Sequence, residues 1–343
     1  MNLIKIEEAL KLKDVVFVDV RTEKEYEEDF ILNAQNLPLF KTEEHSVVGT
    51  IYKNDGKEEA IKKGFDFVSY KLKDFYESFL KLSKEYENIV IYCARGGMRS
   101  GSIYNLISSI GIKVFKLEGG YKSYRNYVIN YLENVSQNKE FIVLHGLTGV
   151  GKTDLLKELD KREIDNIDLE TIAKNSGSTF GFVGFDEKPP TQKRFESEIF
   201  YRIFYSKGKY IFIESESKRV GHVLIPNNLY EHLVNSKNHL IVTDNLKNRV
   251  DRLSRDYLCV DNLVLEECIN KFRKRIGNEK VDEYIGLLKS DKTKLIENYL
   301  VEYYDPLYNH SVKKYSYKDE IDFSNIENGI SKVIEFKNSL ENN

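Results

Sequence analysis

A cysteine and two arginines lie close together in the segment CARGGMRS, residues 93–100. Cys93 directly follows the apolar run IVIY, residues 89–92, which predicts a buried strand, and open α/β sheets bind ligands at the carboxyl ends of such strands. The two glycines of the segment allow backbone N–H groups to form an anion-binding nest, and Arg95 and Arg99 add positive charge. These features favour a thiolate, so we predict a catalytic Cys93 assisted by Arg95 and Arg99. The alternative is a buried structural cysteine at a strand end.

A second chemical motif is GLTGVGKT, residues 146–153, which lies between the apolar run FIVLH and the helical pattern TDLLKEL. In a G-x-x-x-x-G-K-T loop the backbone N–H groups wrap a diphosphate, the lysine reaches its outer oxygens and the threonine hydroxyl can ligate Mg²⁺. The predicted phosphate-binding residues are Gly146, Gly149, Gly151, Lys152 and Thr153. The motif indicates a diphosphate and leaves the rest of the ligand open; the alternative is a loop kept only as scaffold.

An acidic strand end is the usual companion of such a loop. The run YIFIE, residues 210–214, is an apolar strand pattern that ends in Glu214, and Glu216 follows two residues later. Either carboxylate could hold a metal through water, so we predict a possible Mg²⁺ site at Thr153 and Glu214. An acid at a strand end is also common without a metal.

The elements that must position these residues follow a β-α-β rhythm in both halves of the chain. In the first half, the predicted strands are 15–20, 89–92 and 114–117, and the helical patterns are 65–86 and 101–110. In the second half, the predicted strands are 141–145, 210–213 and 239–243, the long helices are 263–276 and 281–304, and a short strand and a terminal helix lie in 318–343. We therefore predict two α/β domains with parallel sheets, 1–132 and 141–343, joined by the polar linker 133–140, and a helical C-terminal part in the second domain.

The first domain resembles the rhodaneses. Asp19 and Arg21 in VDVRTEKEYEE are similar to the opening signature of that family, Asn36 to Pro38 resemble its N-x-P element, and EGGY at 118–121 matches its closing motif. The resemblance implies that Cys93 takes up sulfur or selenium as a persulfide or perselenide. It also implies a structural pairing of Asp19 with Arg21. One departure is DFILN at 29–33, where rhodaneses usually show G-H-I-x-G, and we interpret it as a changed loop with the chemistry retained.

A rhodanese followed by a phosphate-loop domain resembles the tRNA 2-selenouridine synthases over nearly the whole chain. The segments that carry this resemblance are VGTIYK with residues 60–64, GGYKSYR at 119–125, DLETIAKNSGSTFG at 168–181, PTQKRFE at 190–196, IESESKRVG at 213–221 and YYDPLY at 303–308. The family more often has a His-Arg-Gly run where this chain has KNSG at 174–177. That departure leaves open which residues of this segment bind phosphate or tRNA.

The second resemblance implies a two-step replacement of the sulfur of wobble 2-thiouridine by selenium. The sulfur is geranylated from geranyl diphosphate, and selenium from selenophosphate then displaces the geranyl thiol. The co-substrates are thus geranyl diphosphate and selenophosphate, the substrate is a tRNA anticodon stem-loop, and an enzyme that supplies selenophosphate is a further possible partner. Gly64 is predicted to belong to the geranyl or tRNA site, or to be a plain helix C-cap.

Basic side chains at helical spacing are candidates for tRNA contact. Lys247, Arg249, Arg252 and Arg255 recur along one predicted helix, and a second cluster lies at 271–275. Tyr121 and Arg125, with Tyr124, could stack on unpaired bases. The predicted substrate or tRNA-binding residues are Gly64, Tyr121, Arg125, Arg249, Arg252 and Arg255. The alternatives are solvated helix faces for the basic clusters and core packing for at least one tyrosine.

Composition limits the remaining possibilities. The 343 residues carry 52 Lys and Arg against 55 Asp and Glu, a net charge of −3, which argues against non-specific coating of nucleic acid. No run approaches the roughly 20 apolar residues of a membrane span, and Glu7 and Glu8 interrupt the start, so we expect a cytoplasmic protein without membrane contact. The three cysteines and six scattered histidines predict reduced thiols and no structural zinc.

The residues alone also allow two hypotheses that belong to other functional classes. One is a rhodanese sulfurtransferase fused to an ATP-dependent small-molecule kinase, which would not need RNA. The other is a persulfide carrier in which the phosphate loop is a nucleotide-gated switch.

Overall fold

Two parallel sheets, one in each half of the chain, form the framework of the protein. The computed structural model describes residues 1–137, 139–176, 185, 187–258 and 260–342. The chain divides into two units, Met1–Leu132 and Glu133–Asn343. Four of the sequence predictions reach beyond the described residues: the Cys259 thiol, residues 177–181 of the segment 168–181, position 138 of the linker, and residue 343 at the end of the predicted terminal helix.

The first unit is a five-stranded parallel sheet in the order β1-β5-β4-β2-β3. Its strands are β1 (Leu3–Ile4), β2 (Val15–Asp19), β3 (Ala34–Asn36), β4 (Asn88–Tyr92) and β5 (Phe115–Leu117). Its helices are α1 (Ile6–Ala9), α2 (Glu23–Glu28), α3 (Thr42–Asn54), α4 (Lys57–Val68), α5 (Leu72–Glu85), α6 (Met98–Ser109) and α7 (Gly120–Glu133). Every residue of β4 is buried, as expected for an apolar run covered on both faces.

The helices of the first unit follow their apolar stripes. Phe75, Phe79 and Leu82 of α5 lie on one helix face and are buried against the sheet in the same core as Val16 and Ile91. The predicted helical pattern 65–86 is split by a 3-10 turn, Ser69–Lys71, and the helix predicted from residue 101 already begins at Met98.

The second unit contains a second parallel sheet in the order β12-β11-β6-β8-β7, with a small antiparallel hairpin, β9 and β10. The strands are β6 (Glu140–His145), β7 (Asn166–Ile167), β8 (Tyr210–Glu214), β9 (Arg219–Val220), β10 (Val223–Leu224), β11 (Asn238–Thr243) and β12 (Asp319–Asp322). The helices around it are α8 (Lys152–Lys161), α9 (Leu169–Ala173), α10 (Gln192–Phe204), α11 (Asn227–Val234) and α18 (Ile326–Glu341). The predicted strands and the terminal strand and helix are therefore confirmed.

A helical region extends from the second sheet between β11 and β12. Its elements are α12 (Leu246–Leu258), α13 (Asn262–Asn270), α14 (Arg273–Ile276), α15 (Asn278–Ser290), α16 (Lys292–Tyr299), a π-helix (Leu300–Tyr304) and α17 (Asp305–Val312). The two long helices predicted here are wrong as continuous elements. Lys271 and Phe272 interrupt the first between α13 and α14. In the second, Asp291 accepts a hydrogen bond from the backbone N–H of Lys294 and starts α16. Among the described residues, no helix is long and apolar enough to cross a membrane.

Candidate active site

The Cys93 loop connects β4 with α6. β4 lies inside the sheet between β2 and β5, so its carboxyl end brings Cys93 to the edge where α/β sheets bind ligands. Cys93 is almost completely buried, and its Sγ lies 3.1 Å from the hydroxyl of Ser100 in the first turn of α6. The thiol therefore lies at a helix N-terminus with hydrogen-bond donors around it.

The environment of Cys93 favours the thiolate. Burial opposes ionisation, but hydrogen bonds from the Ser100 hydroxyl and from the backbone N–H groups of Ser100 and Arg95 outweigh it, and the charge of Arg99 adds to them. The net effect lowers the pKa of the Cys93 thiol below its usual value. The buried Cys268 shows the opposite case, because burial raises the pKa of its thiol.

The two arginines of the loop have different roles. Arg99 donates two hydrogen bonds, of 2.6 and 3.1 Å, to the carboxylate of Glu25. Burial opposes ionisation of Glu25, but the hydrogen bonds and the charge of Arg99 lower its pKa to about 2. Arg95 is exposed, and its side chain has no partner among the residues that the structure describes. Arg99 therefore fixes the loop, and Arg95 is available to an anion.

The GGY motif at residues 119–121 contacts the backbone of the Cys93 loop. The backbone N–H of Tyr121 donates to the carbonyl of Cys93 over 2.9 Å. Gly120 has φ +60°, and a Cβ there would come within 2.2 Å of the Cys93 carbonyl oxygen, so no other residue fits without a backbone shift. The motif thus determines how closely α7 approaches the cysteine loop.

Tyr121 and Arg125 do not form an open surface for bases. The Tyr121 hydroxyl donates to Asp29 over 2.8 Å, its ring lies 3.9 Å from the guanidinium of Arg21, and the buried Arg125 forms an ion pair with Asp29. The predicted tRNA contact is therefore corrected for these two side chains, and Tyr124 lies in the core. The sequence analysis missed Asp29, the first residue of the DFILN departure, which joins this network.

The structural pairing of Asp19 with Arg21 is confirmed. The two buried side chains lie 2.6 Å apart, and Arg21 also donates to the backbone carbonyl of Asp29. This network lies directly beside β4 and supports the strand that carries Cys93.

Gly64 lies inside α4 and faces a groove of the first unit. The C-cap interpretation is wrong, because α4 continues for four residues to Val68. A Cβ at Gly64 would meet the Phe40 ring at 3.4 Å. The groove measures ≈ 510 Å³, and Met98 and Arg99 of the cysteine loop also line it.

The phosphate loop connects the central strand β6 with α8. Gly151 has φ +97° and begins α8, and a Cβ there would come within 2.6 Å of the Phe323 ring. Gly146 and Gly149 also have positive φ. The Lys152 ammonium donates to the Gly146 carbonyl over 3.2 Å, and both residues line a pocket of ≈ 600 Å³.

Three carboxylates converge beside this loop. Ligand oxygens of Glu170, Glu214 and Glu216 all lie within 4.8 Å of one another, and the Thr153 hydroxyl donates to Glu170 over 3.3 Å. The parallel register of β6 and β8 places Glu214 next to Leu144, two residues before the loop begins. The fold thus brings the predicted metal ligands Thr153 and Glu214 close together. The sequence analysis missed Glu170 as a third candidate ligand, because it follows β7, a strand of only two residues that leaves no recognisable sequence pattern.

The electrostatics of this cluster fit a cation. Burial and the neighbouring Glu216 raise the pKa of Glu170 to about 8, and burial with Glu170 raises the pKa of Glu214 strongly. The Glu214 Oε2 atom is buried without a hydrogen-bond partner among the described residues. A divalent cation would neutralise these carboxylates and supply the missing partner, so the residues fit Mg²⁺.

The helix α12 does not present the predicted basic face. Arg249 is 4% exposed, donates to the Thr148 carbonyl over 2.9 Å and pairs with Asp305. Arg252 donates to the Gly149 carbonyl over 2.8 Å and pairs with Asp244 at the end of β11. The predicted tRNA contacts of Arg249 and Arg252 are therefore corrected: both arginines hold the phosphate loop. Arg255 is exposed and lines the pocket of that loop.

Comparisons with known proteins match both units. Residues 139–339 match the model of the tRNA 2-selenouridine synthase AAA domain, and residues 4–127 match the rhodanese-like domain. A tRNA 2-selenouridine synthase of Hydrogenovibrio crunogenus is 32% identical over 92% of this chain and 94% of its own length. The chain belongs to the tRNA 2-selenouridine synthase family.

A further relative and one solved structure are also similar to this chain. A tRNA 2-selenouridine synthase of a Sulfurovum species is 31% identical over 89% of this chain and 91% of its own length. A crystal structure of the N-terminal domain of a Clostridium difficile 630 protein is 70% identical, covers 37% of this chain and 98% of its own, and aligns with a TM-score of 0.37. The predicted fold class, a rhodanese-like domain followed by a phosphate-loop domain with a helical C-terminal part, is confirmed.

Proposed function

We propose that this member of the tRNA 2-selenouridine synthase family replaces the sulfur of wobble 2-thiouridine in tRNA by selenium. The observation that carries the proposal is the pair of sites in one chain: an activated Cys93 with a free Arg95, and a phosphate loop beside three carboxylates. A sulfurtransferase fused to a kinase and a nucleotide-gated persulfide carrier would also use both sites, and the match to the tRNA 2-selenouridine synthases favours selenium transfer over these two. We propose that the protein acts in the cytoplasm, because its tRNA substrate is found there.

The first proposed step is geranylation at the phosphate loop. The sulfur of 2-thiouridine attacks C1 of geranyl diphosphate, a C–S bond forms, and the C1–O bond breaks with its electron pair on the diphosphate. The base loses its N3 proton. Lys152 and the loop N–H groups stabilise the charge that develops on the leaving diphosphate.

A divalent cation supports the same step. The proposed ligands of Mg²⁺ are Thr153, Glu214, Glu170 and Glu216, directly or through water. When bound, Mg²⁺ supplies positive charge to the departing diphosphate. The backbone N–H of Glu170 donates to the Glu214 carboxylate over 2.8 Å. This hydrogen bond fixes the carboxylate that would hold the cation beside the phosphate loop.

The second proposed step is selenation at the Cys93 loop. A C–Se bond forms at C2 of the base as the C–S bond breaks, and the geranyl group leaves as geranyl thiol. Arg95 binds the anionic selenophosphate, and the Cys93 thiolate takes its phosphoryl group, so that the P–Se bond breaks and selenide is released to attack C2. Water then removes phosphate from Cys93 and restores the thiol. An enzyme that makes selenophosphate is the partner that this step requires.

The tRNA contacts are assigned to exposed cations. Arg255 lines the phosphate-loop pocket, and Lys271, Lys274 and Arg275 are exposed around α14. These side chains can pair with phosphates of the anticodon stem-loop.

The test is a two-stage assay on the full-length protein with 2-thiouridine tRNA. Geranyl diphosphate alone should give S-geranyl-2-thiouridine, and later addition of selenophosphate should convert it to 2-selenouridine. Lys152→Ala should lower the geranylation rate at least about 100-fold and leave tRNA affinity within about twofold, because Lys152 meets the diphosphate and not the RNA. A requirement for ATP, with no effect of geranyl diphosphate, would favour the kinase.

A further inference from the structure

A small apolar cavity lies directly behind the phosphate loop in the helical region of the second unit. It measures ≈ 50 Å³ and lies where two apolar clusters meet, one built around α13 and α15 and the other around α12 and α16. Leu265, Ile269 and Leu288 line it from the first cluster, and Ile296 and Leu300 line it from the second.

The cavity and the phosphate-loop pocket share one wall. Thr148, Leu253 and Tyr257 line both spaces. Thr148 belongs to the phosphate loop itself, and Arg249 fixes its carbonyl over 2.9 Å. Leu253 and Tyr257 are half-buried, as expected for side chains with one face in a core and the other in an open pocket. A ligand anchored on the loop therefore has an apolar surface beside its phosphates.

A π-helix forms another side of the cavity. Leu300–Tyr304 continues α16 with wider turns, and both its first and its last residue are buried and line the cavity. π-helical turns are rare and are found frequently at functional sites. Here the wider turn brings Leu300 and Tyr304 to the same internal space.

The lining favours a hydrocarbon over a nucleobase. A base needs several placed hydrogen-bond partners, whereas a prenyl chain needs only apolar surface. The described side chains that line the cavity are mostly leucine, isoleucine, phenylalanine and tyrosine, and the exceptions are Lys292 and Thr148, which also lines the phosphate-loop pocket. A space of ≈ 50 Å³ suits the last few carbons of a chain, with the remainder on Leu253 and Tyr257 in the larger pocket.

We propose that this cavity receives the distal end of the prenyl chain of an allylic diphosphate whose phosphates lie on the loop, and that its depth sets the chain length. The inference rests on the proposed geranyl transfer and adds the residues that select the chain. The surface between α12 and the loop is then a specificity site in which Leu253 and Tyr257 form the entrance.

The test uses Leu288, which is 2% exposed and lines the cavity from α15. The probes are the non-transferable thiolodiphosphates of dimethylallyl, geranyl and farnesyl chains, titrated into the full-length protein by calorimetry beside inorganic diphosphate. Leu288→Ala should raise the affinity for the farnesyl probe relative to the geranyl probe about tenfold. Leu288→Phe should weaken the geranyl probe about tenfold and leave the dimethylallyl probe unchanged.

Controls separate a local effect from a folding defect. Leu263→Ala removes the same atoms from a leucine that is 71% exposed on α13 and should leave all ratios unchanged. The affinity for inorganic diphosphate should be equal in every variant, and this equality would show that the phosphate loop is intact. If Leu288→Ala does not fold, Ile269→Val, at another lining position, should shift the same ratio in the same direction.

The outcomes distinguish this inference from the function on which it rests. If the wild-type protein transfers geranyl but the Leu288 and Ile269 variants keep its chain-length ratios, the cavity assignment is wrong and the geranylation proposal stands. A shift produced instead by Val48→Ala, in the groove beside Gly64, would also overturn it. If the wild-type protein binds no prenyl probe better than diphosphate, both proposals fail.

Discussion

The Cys93 thiol depends mainly on the donors around it. Burial works against the thiolate, and it is the Ser100 hydroxyl and two backbone N–H groups that reverse the balance, with Arg99 as a smaller contribution. The charge of Arg99 is largely neutralised by Glu25, whose carboxylate it binds with both terminal nitrogens. Removal of one uncharged hydrogen-bond donor should therefore change the pKa of Cys93, although the net charge of the loop stays the same.

We predict that Ser100→Ala raises the pKa of Cys93. The thiolate loses a hydrogen bond, so its formation moves to higher pH and the rate of alkylation by iodoacetamide at neutral pH falls about threefold to tenfold. Mass spectrometry of the Cys93 peptide across pH measures the midpoint without interference from Cys259 or Cys268. Ser102→Ala, an exposed serine of the same helix, is the matched control. An unchanged midpoint in Ser100→Ala would show that the hydroxyl does not stabilise the thiolate.

The chemistry-bearing residues could be predicted from local sequence, but several supporting residues could not. Cys93 and Lys152 lie in short motifs whose geometry the neighbouring residues determine. Arg249 appeared as a candidate tRNA contact because of its spacing along a helix, and Arg125 because it lies beside tyrosines that could stack on bases. Neither pattern says anything about distant partners. Their carboxylate partners are Asp305 and Asp29, each far away in sequence. Only the folded structure shows that these ion pairs bury the two arginine side chains.

At the scale of elements, parallel strands gather the acidic side chains. β7 and β8 are neighbours, so the residues that follow their carboxyl ends, Glu170 and Glu216, reach the same place beside the phosphate loop. Glu214 completes the group as the last residue of β8. Burial, together with the neighbouring charge of Glu216, opposes ionisation of Glu170 and raises its pKa to about 8.

The sign of the pH dependence follows from this shift. A carboxyl whose pKa is higher in the folded protein than in the unfolded chain stabilises the fold at low pH, and that contribution is lost as pH rises toward about 8. Mg²⁺ should offset the loss. We predict that saturating Mg²⁺ raises Tm by about 5 °C at about pH 8.5 and by less at about pH 6.

The matched variants are Glu214→Gln and Glu231→Gln. Glu214→Gln should reduce the Mg²⁺-dependent gain in Tm by at least about half, because one ligand and one negative charge are lost. Glu231 is an exposed residue of α11, and its replacement should leave the gain unchanged. Differential scanning calorimetry with and without Mg²⁺ measures both. Equal gains in all three proteins would assign Mg²⁺ to another place.

Element boundaries in the helical region show the limit of periodicity. Apolar residues continue at helical spacing through 263–276 and 281–304, and this pattern predicts two long helices. The chain instead interrupts the first pattern at Lys271 and Phe272 and the second at Asp291, and it widens into the π-helix at Leu300–Tyr304. The aspartate is a recognisable helix start in sequence, whereas nothing in the local pattern indicates the break at residues 271–272 or the π-helix.

At the scale of the whole molecule, tRNA affinity must come from local positive patches. The net charge of −3 gives no general attraction to RNA. The internal ion pairs of Arg249 and Arg252 remove two of the cations that the sequence suggested for this purpose. The exposed cations around α14 then become the principal candidates.

We predict that replacing Lys271, Lys274 and Arg275 together by alanine weakens tRNA binding and reduces its salt dependence. Each lost phosphate contact should lower the slope of log K against log salt by about 0.7 to 0.9. Titration of labelled tRNA at several salt concentrations measures the slope. Replacing three exposed lysines of the first unit, Lys11, Lys13 and Lys24, is the control for charge alone. Equal slopes in the two triple variants would show that the α14 cluster is an ordinary solvated surface.

The most direct test of the proposed function is a nucleoside analysis of tRNA from cells that lack this gene and carry the wild-type copy, Cys93→Ser or an empty vector. The wild-type copy should produce 2-selenouridine, and the empty vector should leave 2-thiouridine. Cys93→Ser should accumulate S-geranyl-2-thiouridine without selenouridine, because only the second step needs the thiol. Selenouridine at the wild-type level in Cys93→Ser cells, or nucleosides that do not change with the gene, would contradict the proposal.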